Sequence, residues 1–165
     1  VEQVLSGVAG AAGLALDAGT NTLYVSDLGS RCIWRVDASA RGLTAGGKGC
    51  RSSFSGLPGY PGALALDTDG TLLIGYRWAR SVWLENHADN TFLRGIALRL
   101  SQTMQENLFS LSAESIRAEA VSPASETWLW AVSGSPQGGS TALCPDGNRV
   151  FLGILGQKAL YCAKV

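Results

Sequence analysis

A cluster of aromatic and basic residues is the part of this sequence best suited to recognising another molecule. Tyr76-Arg77-Trp78-Ala79-Arg80 brings two aromatic rings and two guanidinium groups together. Such groups can stack on a sugar or anchor a protein partner. The cluster predicts a surface that binds a protein or a glycan. The alternative is a solvated loop in which Trp78 packs against neighbouring structure.

Residues that could catalyse a reaction are scarce. Asp27 and Glu114 are the only acids in suitable loops, whereas a hard divalent cation takes several oxygen ligands. No serine lies in a GxSxG motif, and the single histidine, His87, gives no general base that spacing supports. Residues 42–48 begin like a phosphate-binding loop, but Gly49 stands where Ser or Thr is required. We expect no catalytic residues, no metal and no cofactor.

Four cysteines form two local pairs with the same spacing. Cys32 and Cys50 are 18 positions apart, and so are Cys144 and Cys162. The even count in two pairs predicts two disulfides and an extracellular or secretory-pathway location. The alternative is four reduced thiols in a cytosolic protein. A zinc site is the weakest interpretation, because there is no CxxC motif and His87 is distant in sequence.

Composition excludes two classes of partner. The chain has 165 residues, 46% hydrophobic and 16% charged, which is enough for a single globular domain. Its 13 basic and 13 acidic residues cancel without forming blocks, so no nucleic-acid partner is expected. No apolar run approaches the roughly 20 residues that span a bilayer, so no membrane partner is expected either.

A β-rich pattern recurs four times along the chain. The copies cover Leu14 to Val36, Leu64 to Leu84, Ile96 to Arg117 and Ala142 to Cys162. Their third strands align at positions 33, 82, 116 and 160, separated by 49, 34 and 44 residues. Periods near forty with several short strands are typical of β-propeller blades. We therefore predict an all-β propeller of about four blades built from antiparallel four-stranded sheets.

The predicted blades cover approximately residues 13–45, 63–93, 95–133 and 141–165 of one domain. Residues 101–120 are also rich in helix formers, but the alignment favours strands there. Outer strands are expected at Leu43 to Ala45, Thr91 to Leu93 and Thr127 to Val132. The fourth repeat lacks one, and the strand at residues 1–5 could complete it and remove an exposed edge.

The repeats resemble the NHL-repeat propellers, which are similar in turn to the gluconolactonase and senescence-marker propellers. The resemblance is carried in the first repeat by Gly13-Leu14-Ala15-Leu16-Asp17, Leu23-Tyr24-Val25-Ser26-Asp27 and Arg31-Cys32-Ile33-Trp34-Arg35-Val36. The last repeat, with Gly139 to Leu143 and Val150 to Leu155, is also similar to the yellow and royal-jelly proteins. These families usually have six blades. A closed four-blade ring, a partial propeller completed by other chains, and a piece of a longer protein are the alternatives, and we favour the second.

In a propeller, the loops between second and third strands gather on one face around the central channel, and this loop face is the usual binding side. Here it would carry the candidate binding residues Asp27, Arg31, Tyr76, Arg77, Trp78, Arg80, Glu114 and Lys158. We predict a non-catalytic extracellular module that binds a protein partner or further copies of itself through this face or through exposed strand edges.

The resemblance also implies two alternative functions. One is a metal-dependent lactonase or hydrolase of the gluconolactonase kind, with calcium as a cofactor and with Asp27 and Glu114 as ligands. The other is a small-ligand carrier of the yellow-protein kind. In NHL-like repeats, however, the acid at the position of Asp27 is more often a structural hydrogen-bonding residue.

Overall fold

Short strands joined by tight turns make up most of the molecule. The computed structural model describes residues 1–109, 116–134 and 138–165. Its strands are β1 (Leu5–Ser6), β2 (Ala11–Asp17), β3 (Thr22–Asp27), β4 (Cys32–Asp37), β5 (Leu43–Thr44), β6 (Cys50–Phe54), β7 (Gly59–Leu66), β8 (Leu72–Ala79), β9 (Ile116–Ser122), β10 (Thr127–Ser133), β11 (Ser140–Asp146), β12 (Arg149–Ile154) and β13 (Leu160–Lys164). The helices are α1 (Val82–Asn86), α2 (Thr91–Ala97) and α3 (Gln102–Phe109).

Three antiparallel sheets have the form of propeller blades. Blade 1 has the strand order β2-β3-β4-β6, blade 2 has β7-β8-β9-β10, and blade 3 has β11-β12-β13. Residues that tolerate a positive φ form the first turn of each blade: Asn21 in blade 1, Gly70 in blade 2 and Gly147 in blade 3. The predicted fold class, an all-β partial propeller, is confirmed, but the described residues form three blade sheets and not about four, and the third sheet has three strands.

The sequence repeat fixes which side chains face which neighbour. Leu14-Ala15-Leu16-Asp17 of β2 aligns with Leu64-Ala65-Leu66-Asp67 of β7 and with Leu143-Cys144-Pro145-Asp146 of β11. Because side chains alternate along a strand, the first and second positions of each motif point to opposite sides of the blade. We call the side that carries Leu14, Leu64 or Leu143 the leading face, and the side that carries Ala15, Ala65 or Cys144 the trailing face.

Two apolar cores lie between the blades. In the first, the trailing face of blade 1, with Ala15, Tyr24 and Ile33, meets the leading face of blade 2, where Leu64 and Leu66 pack. The second core lies between the trailing face of blade 2 and the leading face of blade 3. It contains Leu73, Ala118 and Ala65 from the trailing face of blade 2 and Val150, Leu152, Ile154 and Leu143 from the leading face of blade 3. The inner strands β2, β7 and β11 make most of the contacts between blades.

The predicted third repeat differs from the structure. Residues 82–84, expected as a strand, lie in α1, and residues expected as the first two strands of the third repeat lie in α2 and α3. Side chains of Ser81 and Asn90 accept hydrogen bonds from the backbone N–H groups of Leu84 and Leu93, so both short helices have N-caps. The helix-forming composition of residues 101–109 therefore prevails over the repeat alignment.

The remainder of that repeat completes blade 2. β9, which begins at the predicted position Ile116, pairs with β8, and Leu72 lies opposite Val121. β10 covers the predicted outer strand, Thr127 to Val132, and pairs with β9. Repeats 2 and 3 thus contribute to one sheet, with the three helices inserted between its second and third strands. None of the helices in the described ranges is both long and apolar enough to cross a membrane.

The first residues of the chain do not complete the last blade. Leu5 and Ser6 instead pair in parallel with Leu43 and Thr44. This ladder lies before β6, which is the actual outer strand of blade 1 in place of the predicted Leu43 to Ala45. Residues 1–5 are therefore not paired with the fourth repeat as expected, because the Gln3 and Val4 carbonyl groups accept hydrogen bonds from Gly42 and Leu43 and the last sheet contains β11, β12 and β13 alone among the described strands.

The cysteine pairing predicted from sequence is also wrong in this structure, where all four cysteines are free thiols. Cys50 pairs with Val36, four positions beyond Cys32 on β4, which places the two cysteines about 13 Å apart along the strand. Cys144 and Cys162 lie on the two strands that flank Phe151, roughly 9.5 Å apart. Disulfides need Cα atoms within about 7 Å. The extracellular location inferred from them loses this basis.

Blades 1 and 2 approach each other most closely at a pair of glycines. A Cβ atom at Gly13 would lie 2.2 Å from the Gly62 carbonyl oxygen and 2.9 Å from the Leu64 nitrogen. Gly13→Ala should therefore push the inner strands apart and lower the free energy of unfolding by about 1–3 kcal/mol, as measured by urea denaturation.

Gly95 in α2 is the matched control, since a Cβ there meets no atom within 4 Å. Gly95→Ala should leave stability unchanged or raise it by up to about 1 kcal/mol. Equal effects of the two substitutions would show that the close approach of the strands is not a constraint.

Candidate functional site

Asp27, the predicted loop-face acid, is a buried structural residue. One oxygen, Oδ2, accepts hydrogen bonds from the Ala9 backbone N–H at 3.1 Å and from Trp34 Nε1 at 3.0 Å. The other accepts one from the Ser30 backbone N–H at 3.3 Å. Burial raises the pKa of Asp27, but the hydrogen bonds from Trp34, Ala9 and Ser30 outweigh burial and hold the pKa below its usual value.

Two predicted binding residues, Arg31 and Arg80, share one acidic partner. Arg31 Nε lies 2.9 Å from Glu85 Oε1, and Arg80 Nε lies 2.6 Å from Glu85 Oε2. Arg31 also donates to the Leu57 carbonyl. Because Glu85 belongs to α1, this ion triad fastens the helical segment to the β3–β4 turn of blade 1. Arg31 is thus engaged within the fold, whereas Arg80 forms an ion pair at the surface, with 56% of its side chain exposed.

Tyr76 is buried between blades 1 and 2, with only 1% of its surface exposed. Its hydroxyl donates to the carboxylate of Glu119 on β9. Desolvation is the main cause of the raised pKa of both groups. The phenol predicted as a binding group therefore holds two strands of blade 2 together.

Arg77 and Trp78 are the two aromatic or basic members of the cluster that are neither buried nor paired with Glu85, and they form a cation–π pair. The Arg77 guanidinium lies 4.9 Å from the centre of the Trp78 ring, and Arg77 is exposed. Lys158 is exposed in the turn between β12 and β13. Glu114 lies outside the described residues. The structure thus brings Arg31 and Arg80 together, but around Glu85 and not around an open binding site.

Within the described ranges, no group of three or more His, Cys, Asp or Glu side chains could hold a metal ion. A cavity of about 370 Å³ with an almost wholly apolar lining lies on the trailing face of blade 3. It is lined by Ala142, Leu143, Cys144, Phe151, Gly153 and Leu160. A charged pair, Arg149 with Asp146, stands beside it, and the Arg149 guanidinium lies 5.7 Å from the Phe151 ring centre.

The leading face of blade 1 is open at the other end of the molecule. Leu14 and Leu16 on β2 are 63% and 54% exposed, although their counterparts Leu64 and Leu66 pack into the first core. On blade 3, Leu160 is 71% exposed. Sequence reasoning looked for polar groups and missed both surfaces. The repeat contained a signal for the first of these surfaces. The motif Leu-Ala-Leu-Asp occurs in both β2 and β7, so Leu14 and Leu16 need a neighbouring sheet just as Leu64 and Leu66 do.

No protein-family model matches the sequence, and no curated protein matches it significantly. Among solved structures, a luciferin-regenerating enzyme is similar, with a TM-score of 0.51 and 18% identity, over 88% of this chain and 37% of that chain. The hydrazine synthase of Kuenenia stuttgartiensis is similar with a TM-score of 0.51 and 12% identity, over 92% of this chain and 33% of that chain.

These similarities show a shared β-propeller fold and do not extend to activity. This chain spans little more than a third of the length of the luciferin-regenerating enzyme. The finer assignment to the NHL-repeat propellers stays a resemblance carried by the sequence motifs.

The role assigned to Asp27 predicts an acid-dependent loss of stability. A carboxylate whose folded pKa is depressed stabilises the fold above its unfolded pKa, here 3.8, and this stability is lost as pH falls through the folded value. Asp27→Asn should cost about 1–3 kcal/mol at neutral pH, because charge-assisted hydrogen bonds are weakened. The cost should shrink below pH 4.

Urea denaturation at neutral and acidic pH measures this change. The exposed Asp89 provides the control, since Asp89→Asn removes none of the hydrogen bonds of Asp27 and should change stability little at neutral pH. A cost of Asp27→Asn that does not depend on pH would contradict the assignment.

Proposed function

We propose that this chain is a non-catalytic β-propeller module that works by protein association through the open faces of its two end blades. The observation that carries the proposal is the exposure of aliphatic side chains at equivalent positions to those that form the internal cores. Leu14 and Leu16 are exposed on blade 1, and Leu160 is exposed on blade 3. Aliphatic side chains exposed together on one face of a sheet are typical of interaction sites in folded proteins.

The chemistry of these faces suits an apolar partner. The residues that line the blade 3 cavity are all apolar or weakly polar, and the charged residues Arg149 and Asp146 lie at its edge. An apolar centre with a charged rim is the usual arrangement of a protein interface. It also indicates a partner that presents aliphatic side chains from a β-sheet, as the neighbouring blades do.

Several features weigh against the loop face as the main binding surface. Arg31 and Arg80 are already paired with Glu85, and Tyr76 is buried. Separating the Tyr76 hydroxyl from Glu119 would leave two buried hydrogen-bonding groups unpaired, which is costly. The metal-dependent hydrolase finds little support for the same reason, since both oxygens of Asp27 already accept hydrogen bonds from the protein.

Replacing one exposed leucine by a carboxylate tests the proposal. Leu160→Asp should weaken association by about tenfold or more, because each 1.4 kcal/mol changes the dissociation constant tenfold and a buried unpaired carboxylate costs at least that much. The wild-type molar mass should rise with protein concentration in static light scattering, and that of Leu160→Asp should stay at 17.2 kDa.

Phe92 on α2 provides the matched control, since it is 75% exposed against 71% for Leu160 but lies outside both end faces. Phe92→Asp should associate as the wild type does. A wild-type mass of one chain at every concentration, or equal loss of association in both variants, would refute the proposal.

A further inference from the structure

We infer that each open face is covered by the opposite open face of a second copy of this chain, so that two copies close a six-bladed ring. This inference rests on the proposed function and names its partner. It depends on a directional property of the repeat that is visible at both internal interfaces.

Each internal interface joins a trailing face to a leading face. Between blades 1 and 2, the small side chain of Ala15 meets the leucines of β7, Leu64 and Leu66. Between blades 2 and 3, Ala65 and Leu73 meet Leu143 of β11. The two cores described in this chain therefore follow the same rule. A small residue on one inner strand packs against a leucine on the next inner strand.

The two open faces are the two halves of one more such interface. Blade 1 presents the leading-face leucines, Leu14 and Leu16, and blade 3 presents the trailing face with the small residue Cys144 at the position of Ala15 and Ala65. The shallow apolar cavity on blade 3 lies where those leucines would enter. Neither face would meet a copy of itself by this rule, because two leading faces would oppose leucine to leucine.

The inner strand of blade 1, at which the second copy would make contact, is also the exposed part of the leading face. Internal contacts between blades are made chiefly by the inner strands. On blade 1, Val25 on β3 and Val36 on β4 are buried, whereas Leu14 and Leu16 on the inner strand β2 are exposed. An approaching inner strand therefore meets the leucines and has no need to displace the structure that covers β3 and β4.

The number of blades sets the number of copies. A head-to-tail interface produces a closed ring if the rotation closes and an open filament if it does not. Propellers typically close with four to eight blades. This structure has three blade sheets in its described residues, so two copies give six blades, and three copies would give nine. Only the pair falls within that range.

Complementation of two interface variants tests the inference. Leu14→Asp damages every leading face and Leu160→Asp damages every trailing face, so each variant alone should associate at least about tenfold more weakly than the wild type. An equimolar mixture retains one intact interface, between the trailing face of the Leu14→Asp chain and the leading face of the Leu160→Asp chain. The mixture should therefore form a two-chain species in light scattering that neither variant forms at the same concentration.

The possible results separate the two proposals. If Leu160→Asp abolishes association but mixing restores nothing, the end faces bind a partner in another arrangement and only the ring is refuted. If either variant alone still forms the wild-type dimer, the contact joins like faces and the ring is again refuted. A wild-type mass that grows beyond two chains also refutes closure. If the wild type does not associate at all, both proposals fail.

Thiol cross-linking keeps the inference testable if the aspartate variants fail to fold. Cys144 is exposed, whereas Cys32 and Cys50 are buried. Cys162→Ser removes the other exposed thiol, which could react with Cys144 in the same chain. In this background, Leu14→Cys should place a new thiol opposite Cys144 of the second copy, within reach of a short bismaleimide because packed sheets lie about 10 Å apart.

Each thiol adds across one maleimide double bond, so no oxidant is needed. The expected product is a covalent dimer that disappears when Cys144→Ser is added. Val82→Cys in the same background is the matched control, since Val82 and Leu14 are both 63% exposed. A covalent dimer of equal yield from Val82→Cys, or none from Leu14→Cys, would overturn the inference.

Discussion

The requirement that both faces of a small apolar sheet be covered governs this structure. A blade of three or four short strands has too little thickness to bury its own side chains, so its stability comes from its neighbours. Blade 2 meets that requirement on both sides, against Tyr24 and Ile33 of blade 1 and against Val150 and Leu152 of blade 3. Blade 3 meets it on its leading face, and blade 1 meets it on its trailing face but only in part on its leading face, where Val25 and Val36 are buried and Leu14 and Leu16 are exposed. The positions of the exposed leucines follow directly from this difference.

The inner strands satisfy the same requirement by approaching each other very closely. At Gly13 the backbones of blades 1 and 2 leave no room for a side chain. Ser26, buried on the neighbouring strand, donates its hydroxyl to the Gly62 carbonyl at 2.7 Å, so the contact is polar as well as apolar. The two blades are therefore held by backbone geometry near the centre and by aromatic and aliphatic packing further out, where Phe54 meets Trp128 with ring centres 5.5 Å apart.

The strands that carry a complete repeat motif were predictable, because alternating side chains and turn residues agree there. β2, β3, β4 and β7 lie where the motif predicts them, and β12 and β13 form the expected last hairpin. The helices were not predictable from the repeat. Residues 82–84 are apolar and aromatic, which favours a strand locally, but the Ser81 cap and the ion pairs of Glu85 stabilise a helix there. That stabilisation depends on Arg31, which only tertiary structure brings to Glu85.

The candidate site shows the same limit. Residue types made Asp27 a candidate binding residue, and only the resemblance to NHL repeats pointed to a structural role; in the structure its carboxylate accepts three hydrogen bonds from the protein. Residue types could not show that Tyr76 is buried, because its partner Glu119 lies beyond the helical segment in sequence. Equal cysteine spacing was misleading for a related reason. The strand register, and not the spacing, decides which side chains are adjacent, and it places Phe151 between Cys144 and Cys162.

The helical segment between β8 and β9 also has a consequence for how the molecule folds. Blade 2 is completed only when Leu72 pairs with Val121, so the chain must close a long loop before the third strand of that sheet can form. The entropic cost of closing such a loop rises only slowly with its length, but contacts between distant residues slow folding. The hairpins β2–β3, β7–β8 and β11–β12 are local and can form early. We therefore expect blade 2, which holds the other two blades together, to be completed last, so that pairing of its third strand limits the assembly of the cores.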